Sequence, residues 1–146
     1  MKDIEKYFTT SEQATEQVAF EIAQKMESGS LIALIGNLGT GKTVFARGFA
    51  KGLGIKDIVC SPTFNIVREY PYKNNKWMYH MDLYRINDSA AALSFGIEDY
   101  INNPDAITLI EWPERISDIL PADMISVEIK RLNDTNREIT ITRQTL

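Results

Sequence analysis

Cysteine and histidine are nearly missing from this 146-residue chain, which has one of each, Cys60 and His80. One cysteine excludes an internal disulfide framework, and one histidine excludes a His-rich metal site. No apolar run approaches the roughly 20 residues that span a bilayer. The opening Met1-Lys2-Asp3-Ile4-Glu5 carries acids and is followed by no apolar stretch of the kind found in a secretory leader. These absences lead to the expectation of a cytoplasmic protein with no membrane partner. A block of one charge is also lacking. The net charge of −4 disfavours an unaided grip on nucleic acid, which normally needs a basic face, but leaves room for a role beside RNA that other subunits hold. Repeats, low-complexity stretches and linkers are absent too, so one domain covering residues 1–146 is expected, long enough to bury a core.

What is present alternates between two periodicities. Ile4 to Thr9 reads as a short strand. A helix starts near Thr10 or Ser11, where Thr10 with Gln13 forms a capping-box pattern; Val18, Ile22 and Met26 carry it and Gly29 ends it. Ser30 to Ile35 is a continuous apolar run of the kind buried on both faces of a parallel sheet. A helix is predicted from Lys42 to Leu53, with Gly54 just past its end. Ile58 to Cys60 reads as a short strand, with Cys60 packed as a small hydrophobe. Phe64–Tyr72 and Lys76–Leu83 read as a hairpin, Ala90–Phe95 as a helical turn or two, and Ala106–Ile110 as an apolar strand. Pro113–Leu120 reads as a short helix with proline in its first turn. Met124–Leu132 and Arg137–Thr142 form an appended terminal hairpin. The expected fold is α/β, three-layered, with a mixed parallel and antiparallel central sheet resembling that of P-loop nucleotide hydrolases.

Between the apolar run and the helix lies Gly36-Asn37-Leu38-Gly39-Thr40-Gly41-Lys42-Thr43, which fits G-x-x-x-x-G-K-[ST]. Glycines let successive backbone N–H groups approach phosphate oxygens with no Cβ in the way. The helix that follows aims its N-terminal N–H groups and positive dipole end at the same anion. Lys42 is suited to the β- and γ-phosphates, and the Thr43 hydroxyl to Mg²⁺, a cation that prefers hard oxygen ligands. A chance match has odds of roughly one in a hundred or less, and the strand–loop–helix context lowers them further. The cofactors expected are therefore ATP and Mg²⁺. No Asn-Lys-x-Asp guanine-reading motif is present, which tilts the choice from GTP toward ATP.

Such a loop needs a second acid at a neighbouring strand end and a group that orients water. Ile107-Thr108-Leu109-Ile110-Glu111 has the shape of a Walker-B strand, and Trp77 to Asp82 is a looser alternative. The bland reading of either acid is a solvated carboxylate. Ser61-Pro62-Thr63 stands where many P-loop proteins carry a γ-phosphate-sensing switch, against the plainer reading of a Ser-Pro turn. Arg85 stabilises transferred charge, contacts a partner, or is an ordinary exposed arginine. A lone strand histidine such as His80 is more often structural than catalytic, and Trp112 either covers the nucleotide or packs in the core.

Four segments, GNLGTGKTVFARGFAKGLG, SPTFNIVREY, HMDLYRI and IEWPERI, occur in an order that resembles the TsaE (YjeE) family, across nearly the whole chain. The resemblance implies weak ATP hydrolysis supporting the TsaB–TsaD pair, in which TsaD transfers threonylcarbamoyl to adenosine in tRNA. It implies tRNA contact only through that complex. It also implies phosphate binding by Lys42 and the loop, Mg²⁺ on Thr43 and Glu111, and Asp82 on the attacking water or the metal's shell, with the two acids interchangeable on present grounds. Ser61 and Thr63 would form the nucleotide-responsive switch, and Trp112 would move with nucleotide. Two other function classes compete: a nucleotide-dependent docking module with incidental hydrolysis, and a small phosphotransferase, the latter disfavoured by the absence of an evident acceptor lid.

Overall fold

The computed structural model describes residues 2–37, 39–57, 59–60 and 66–144, with the side chain of Gln144 excepted. Among these, seven strands form a single sheet: β1 (Lys2–Thr9), β2 (Leu31–Ile35), β3 (Val67–Lys73), β4 (Lys76–Asp82), β5 (Ala106–Glu111), β6 (Ile125–Arg131) and β7 (Arg137–Gln144). Their spatial order is β1-β7-β6-β2-β5-β4-β3. The four central strands β6, β2, β5 and β4 run parallel, β3 is antiparallel to β4 at one edge, and at the other β7 is antiparallel to both of its neighbours, β6 and β1. The sheet is therefore mixed, as expected. The terminal hairpin, however, is not an appendage. Its first strand lies directly against β2, pairing Ala33 with Ser126 and Leu34 with Val127.

Alternation decides which layer each strand residue serves. Ile32 and Leu34 of β2, Met78 of β4, Ile107 and Leu109 of β5, and Val127 and Ile129 of β6 pack on the side of α1 (Glu12–Gln24) and α2 (Lys42–Gly52). Met81 and Ile110 face the other way, toward α3 (Ser89–Ser94), α4 (Ile97–Ile101) and a 3₁₀ segment, Pro113–Ile119. All six residues of β5 are buried, which explains why that strand reads as an apolar run interrupted only by Thr108 before Glu111 ends it. A three-layer α/β architecture results.

Several boundaries differ from the sequence reading. Ser11, rather than Thr10, caps α1: its Oγ accepts from the Ala14 N–H at 3.1 Å. The helix ends at Gln24, before Gly29, because Lys25 and Met26 donate three residues back and tighten the last turn. The expected strand at 58–60 is not found at Val59 and Cys60, and Ile58 lies outside the described residues. Val59 is apolar because it packs in the α1/α2 core, and Cys60, one residue on, is exposed instead of buried. The start of the expected strand at Phe64 is likewise outside the described residues, and β3 begins at Val67. Pro113–Ile119 is 3₁₀, broken by Ile116 at φ −133°.

Candidate functional site

The phosphate-type loop leaves the C-terminal end of β2, the central parallel strand, where open α/β sheets place their ligands. Its turn is closed by Thr40, whose N–H and Oγ1 both donate to the Asn37 carbonyl at 3.3 and 2.9 Å. Gly39 at φ +81° and Gly41 at φ +113° hold left-handed conformations that side chains resist. Gly41 is also the N-cap of α2 and offers no side-chain cap, so the helix start and its positive dipole end border the cleft.

That cleft has a volume of about 660 Å³. Gly39 to Val44 form its floor, and Asp82, Tyr84, Glu111 and Trp112 form one wall. Asp82 and Glu111 end the adjacent parallel strands β4 and β5 and are direct register partners, so both acids reach the same side of the sheet as α2. Both candidate acids thus meet Lys42 and Thr43 in one place. Lys42 is nearly buried; its Nζ lies 3.8 Å from Glu111 Oε1 and 4.2 Å from the centre of the Trp112 ring, a cation–π arrangement. Trp112 holds φ +59°, a left-handed conformation costing of order 1 kcal/mol for a bulky residue. It leans on Tyr84 at 5.1 Å between ring centres, so it is neither plain core nor free surface.

The two carboxylates differ in surroundings. Glu111 is buried, with Oε2 2.6 Å from His80 Nε2 and Oε1 toward Lys42. Asp82 is half-buried and accepts the Tyr84 N–H on Oδ1 at 3.0 Å. Burial pushes the Asp82 carboxyl above the usual carboxylate range and the Glu111 charge adds to this, while the Tyr84 N–H and the Lys42 charge act in the opposite direction. Thr43, Asp82 and Glu111 each bring oxygen donors to the cleft. Among the described residues no group of three or more His, Cys, Asp or Glu is able to cage an ion by itself. This donor set fits Mg²⁺, which takes one or two protein oxygens and completes its shell with phosphate and water.

Not every expected residue joins the cleft. Asn37 lines a separate hollow behind the loop, shared with Trp112, Glu114 and Glu128 to Leu132. Leu38, Ser61 and Thr63 lie outside the described residues. Conversely, the far wall consists of residues with no local signal in the sequence: Thr10, Ser11, Glu12 and Thr15 from the β1–α1 turn, and Asp134, Thr135 and Arg137 from the β6–β7 turn. Arg137 ties that turn to the loop. Its Nε donates to the Thr40 carbonyl at 2.7 Å, and Nη1 donates to the carbonyls of Asn133 at 2.8 Å and Asn136 at 3.0 Å.

Comparison with known proteins identifies the family and the fold. Residues 9–139 match the family model described as "Threonylcarbamoyl adenosine biosynthesis protein TsaE". The tRNA threonylcarbamoyladenosine biosynthesis protein TsaE of Bacillus subtilis is 40% identical over 137 residues, covering 94% of this chain and 84% of the relative. Its counterpart in Aquifex aeolicus is 36% identical over 146 residues, covering 99% of this chain and 100% of the relative. The crystal structure of B. subtilis YdiB superposes with a TM-score of 0.82 at 36% identity, covering 98% of this chain and 87% of that one. With the family model matched from the end of β1 to the middle of β7, the chain belongs to the TsaE family.

Proposed function

We propose that this protein binds Mg-ATP in the cleft and hydrolyses it slowly, in support of a TsaB–TsaD pair that makes threonylcarbamoyladenosine in tRNA. One observation carries the reading: Lys42, Thr43, Asp82 and Glu111, from three separate elements, converge on a glycine-turned helix N-terminus. Loop N–H groups and the dipole of α2 receive the phosphates, and Lys42 exchanges Glu111 for phosphate as its counter-charge. Thr43 and Glu111 hold Mg²⁺, which when bound neutralises phosphate charge. Asp82 orients the attacking water and draws on its proton; its raised affinity for protons suits that role better than an ordinary carboxylate would. The placement of charge before reaction supplies most of the catalysis in this chemistry. The names of the relatives supply the pathway, and the TsaB–TsaD partnership rests on the motif resemblance. Cytoplasmic residence is consistent with the described residues, none of whose helices is long and apolar enough to cross a membrane.

The test is direct. Lys42→Ala is expected to abolish nucleotide binding in calorimetry, while Glu111→Ala is expected to bind nucleotide but lose Mg²⁺-dependent phosphate release. Wild-type turnover by purified Glu111→Ala protein would remove that acid from the site. Labelled γ-phosphate appearing on any acceptor other than water would point to a phosphotransferase instead. A docking-module reading has one observation in its favour, the exposed Tyr84 resting on Trp112 beside Lys42. Sustained tRNA modification with a non-hydrolysable ATP analogue in a reconstituted mixture with TsaB and TsaD would select it.

A further inference from the structure

Behind the cleft, against Glu111, lies a buried group that hydrolysis as outlined does not use. His80 is fully buried on β4, two residues before Asp82, and its ring extends diagonally across the β4–β5 pair. Its direct register partner on β5 is Leu109, two residues before Glu111, so all four side chains share the α1/α2 face. Nε2 lies 2.6 Å from Glu111 Oε2, the length of a strong charge-assisted hydrogen bond. A carboxylate only accepts, so the ring nitrogen donates. Nδ1, on the opposite side of the ring, is buried with no hydrogen-bond partner among the described residues. The contact the ring does make, to a carboxylate that faces the phosphate loop, indicates what it is for.

We infer that His80 is a positioning residue: it holds one oxygen of Glu111 so that the other stays directed at the phosphate loop. The geometry divides the carboxylate in this way, with Oε2 on His80 and Oε1 toward Lys42. Without the ring, Glu111 is free to rotate about its last torsion and place both oxygens on the Lys42 ammonium. That would tighten a pair the nucleotide has to open and remove the oxygen meant for the metal. Partners that orient a ligating carboxylate typically change metal affinity or activity by 10–100-fold when lost. The inference rests on the reading of Glu111 given above, and the two fail in different ways.

The experiment compares His80→Gln with His80→Asn. The glutamine amide nitrogen falls near the position of Nε2 and restores the donor to Glu111. The asparagine amide falls near Nδ1 and does not reach it. Both variants are polar and similar in bulk, so a general packing defect affects both. His80→Asn is expected to lower kcat at least tenfold, with KM for ATP within about twofold of wild type, and to raise the Mg²⁺ concentration needed for half-maximal strengthening of fluorescent-nucleotide binding by a similar tenfold. His80→Gln is expected to recover most of both. In a Glu111→Ala background, His80→Asn is expected to have no further effect on either readout. Equal behaviour of the Gln and Asn variants, or full additivity with Glu111→Ala, would overturn the positioning role. If Glu111→Ala alone is unimpaired, the function proposed for the cleft fails first. If it is impaired while His80→Asn matches wild type, only the inference about His80 falls.

Discussion

Replacing Gly48 with alanine tests how closely the phosphate-loop helix is seated on its neighbour. Gly48 and Gly52 of α2 face α1 at close range, Gly48 directly against the Glu16 backbone and Gly52 against the Phe20 backbone and the Ala23 methyl. A Cβ added at Gly48 would lie 2.3 Å from the Glu16 carbonyl oxygen and 2.6 Å from its Cα, and one at Gly52 would lie 2.4 Å from the Phe20 carbonyl oxygen. Ordinary contact begins near 3.4 Å, and the obstacle is backbone, so α2 has to retreat by about 1 Å. Overpacking of this kind costs about 1–3 kcal/mol. Alanine's better helix propensity returns at most about 1 kcal/mol. Three Glu16 backbone atoms within 2.8 Å put the overpacking cost at the upper end of its range, about 2–3 kcal/mol, so the clash wins with a net loss of about 1–2 kcal/mol. For a chain of this size that corresponds to a fall of roughly 3–8 °C in Tm, measured by circular dichroism. Because α2 begins with Lys42 and Thr43, its retreat also weakens nucleotide binding in calorimetry. Gly54→Ala is the control: Gly54 has φ +85° but nothing within 4 Å of the added atom, so it loses about 1–2 kcal/mol to backbone strain and leaves nucleotide affinity unchanged. A Gly48→Ala protein that melts at or above the wild-type temperature would refute the reasoning, because propensity would then outweigh the contact with Glu16.

Two further outcomes follow from the cleft. Burial raises the Asp82 pKa in the folded state, so the native state binds the proton more tightly than the unfolded chain, and stability falls as pH rises from the ordinary carboxylate value through the folded one. Without nucleotide, Asp82→Asn is accordingly expected to melt above wild type at neutral pH, with the difference shrinking as pH drops below the usual carboxylate range, while phosphate release is lost. Arg137→Ala removes the donors that bind the β6–β7 turn to the Thr40 carbonyl. At about 1 kcal/mol for a part-exposed charged hydrogen bond, nucleotide Kd is expected to rise about fivefold by calorimetry, with Arg137→Lys recovering little because ammonium lacks the planar fan of donors.

The parts of the site legible in the sequence are those whose chemistry is local. Gly39, Gly41, Lys42 and Thr43 had to be those residue types at that spacing, and β5 was marked by burial on both faces. What stayed hidden depends on pairings far apart in the chain. Nothing near Thr10 or Arg137 shows that they line one cleft, because β7 has to pair with β1 before the two turns meet across the loop. His80 looked like an ordinary strand histidine until the β4–β5 register set it against Glu111. The five-residue α4 is too short for helical periodicity to emerge. Val59 shows the reverse error, where an apolar residue was taken as a strand and proved to be core filling on irregular backbone.

The central place of β2 has a consequence for how the chain is made. Both of its sheet neighbours, β5 and β6, lie later in the sequence, the second ending at Arg131. During synthesis at roughly 5–20 residues per second, this apolar strand therefore waits on the order of 5–20 s after leaving the ribosome's reaction centre before its last partner has been made. The cleft is unfinished during that interval, so no ligand of the cleft is able to shelter the nascent chain from aggregation. Any shelter it needs in that time has to come from outside its own fold, as chaperones provide.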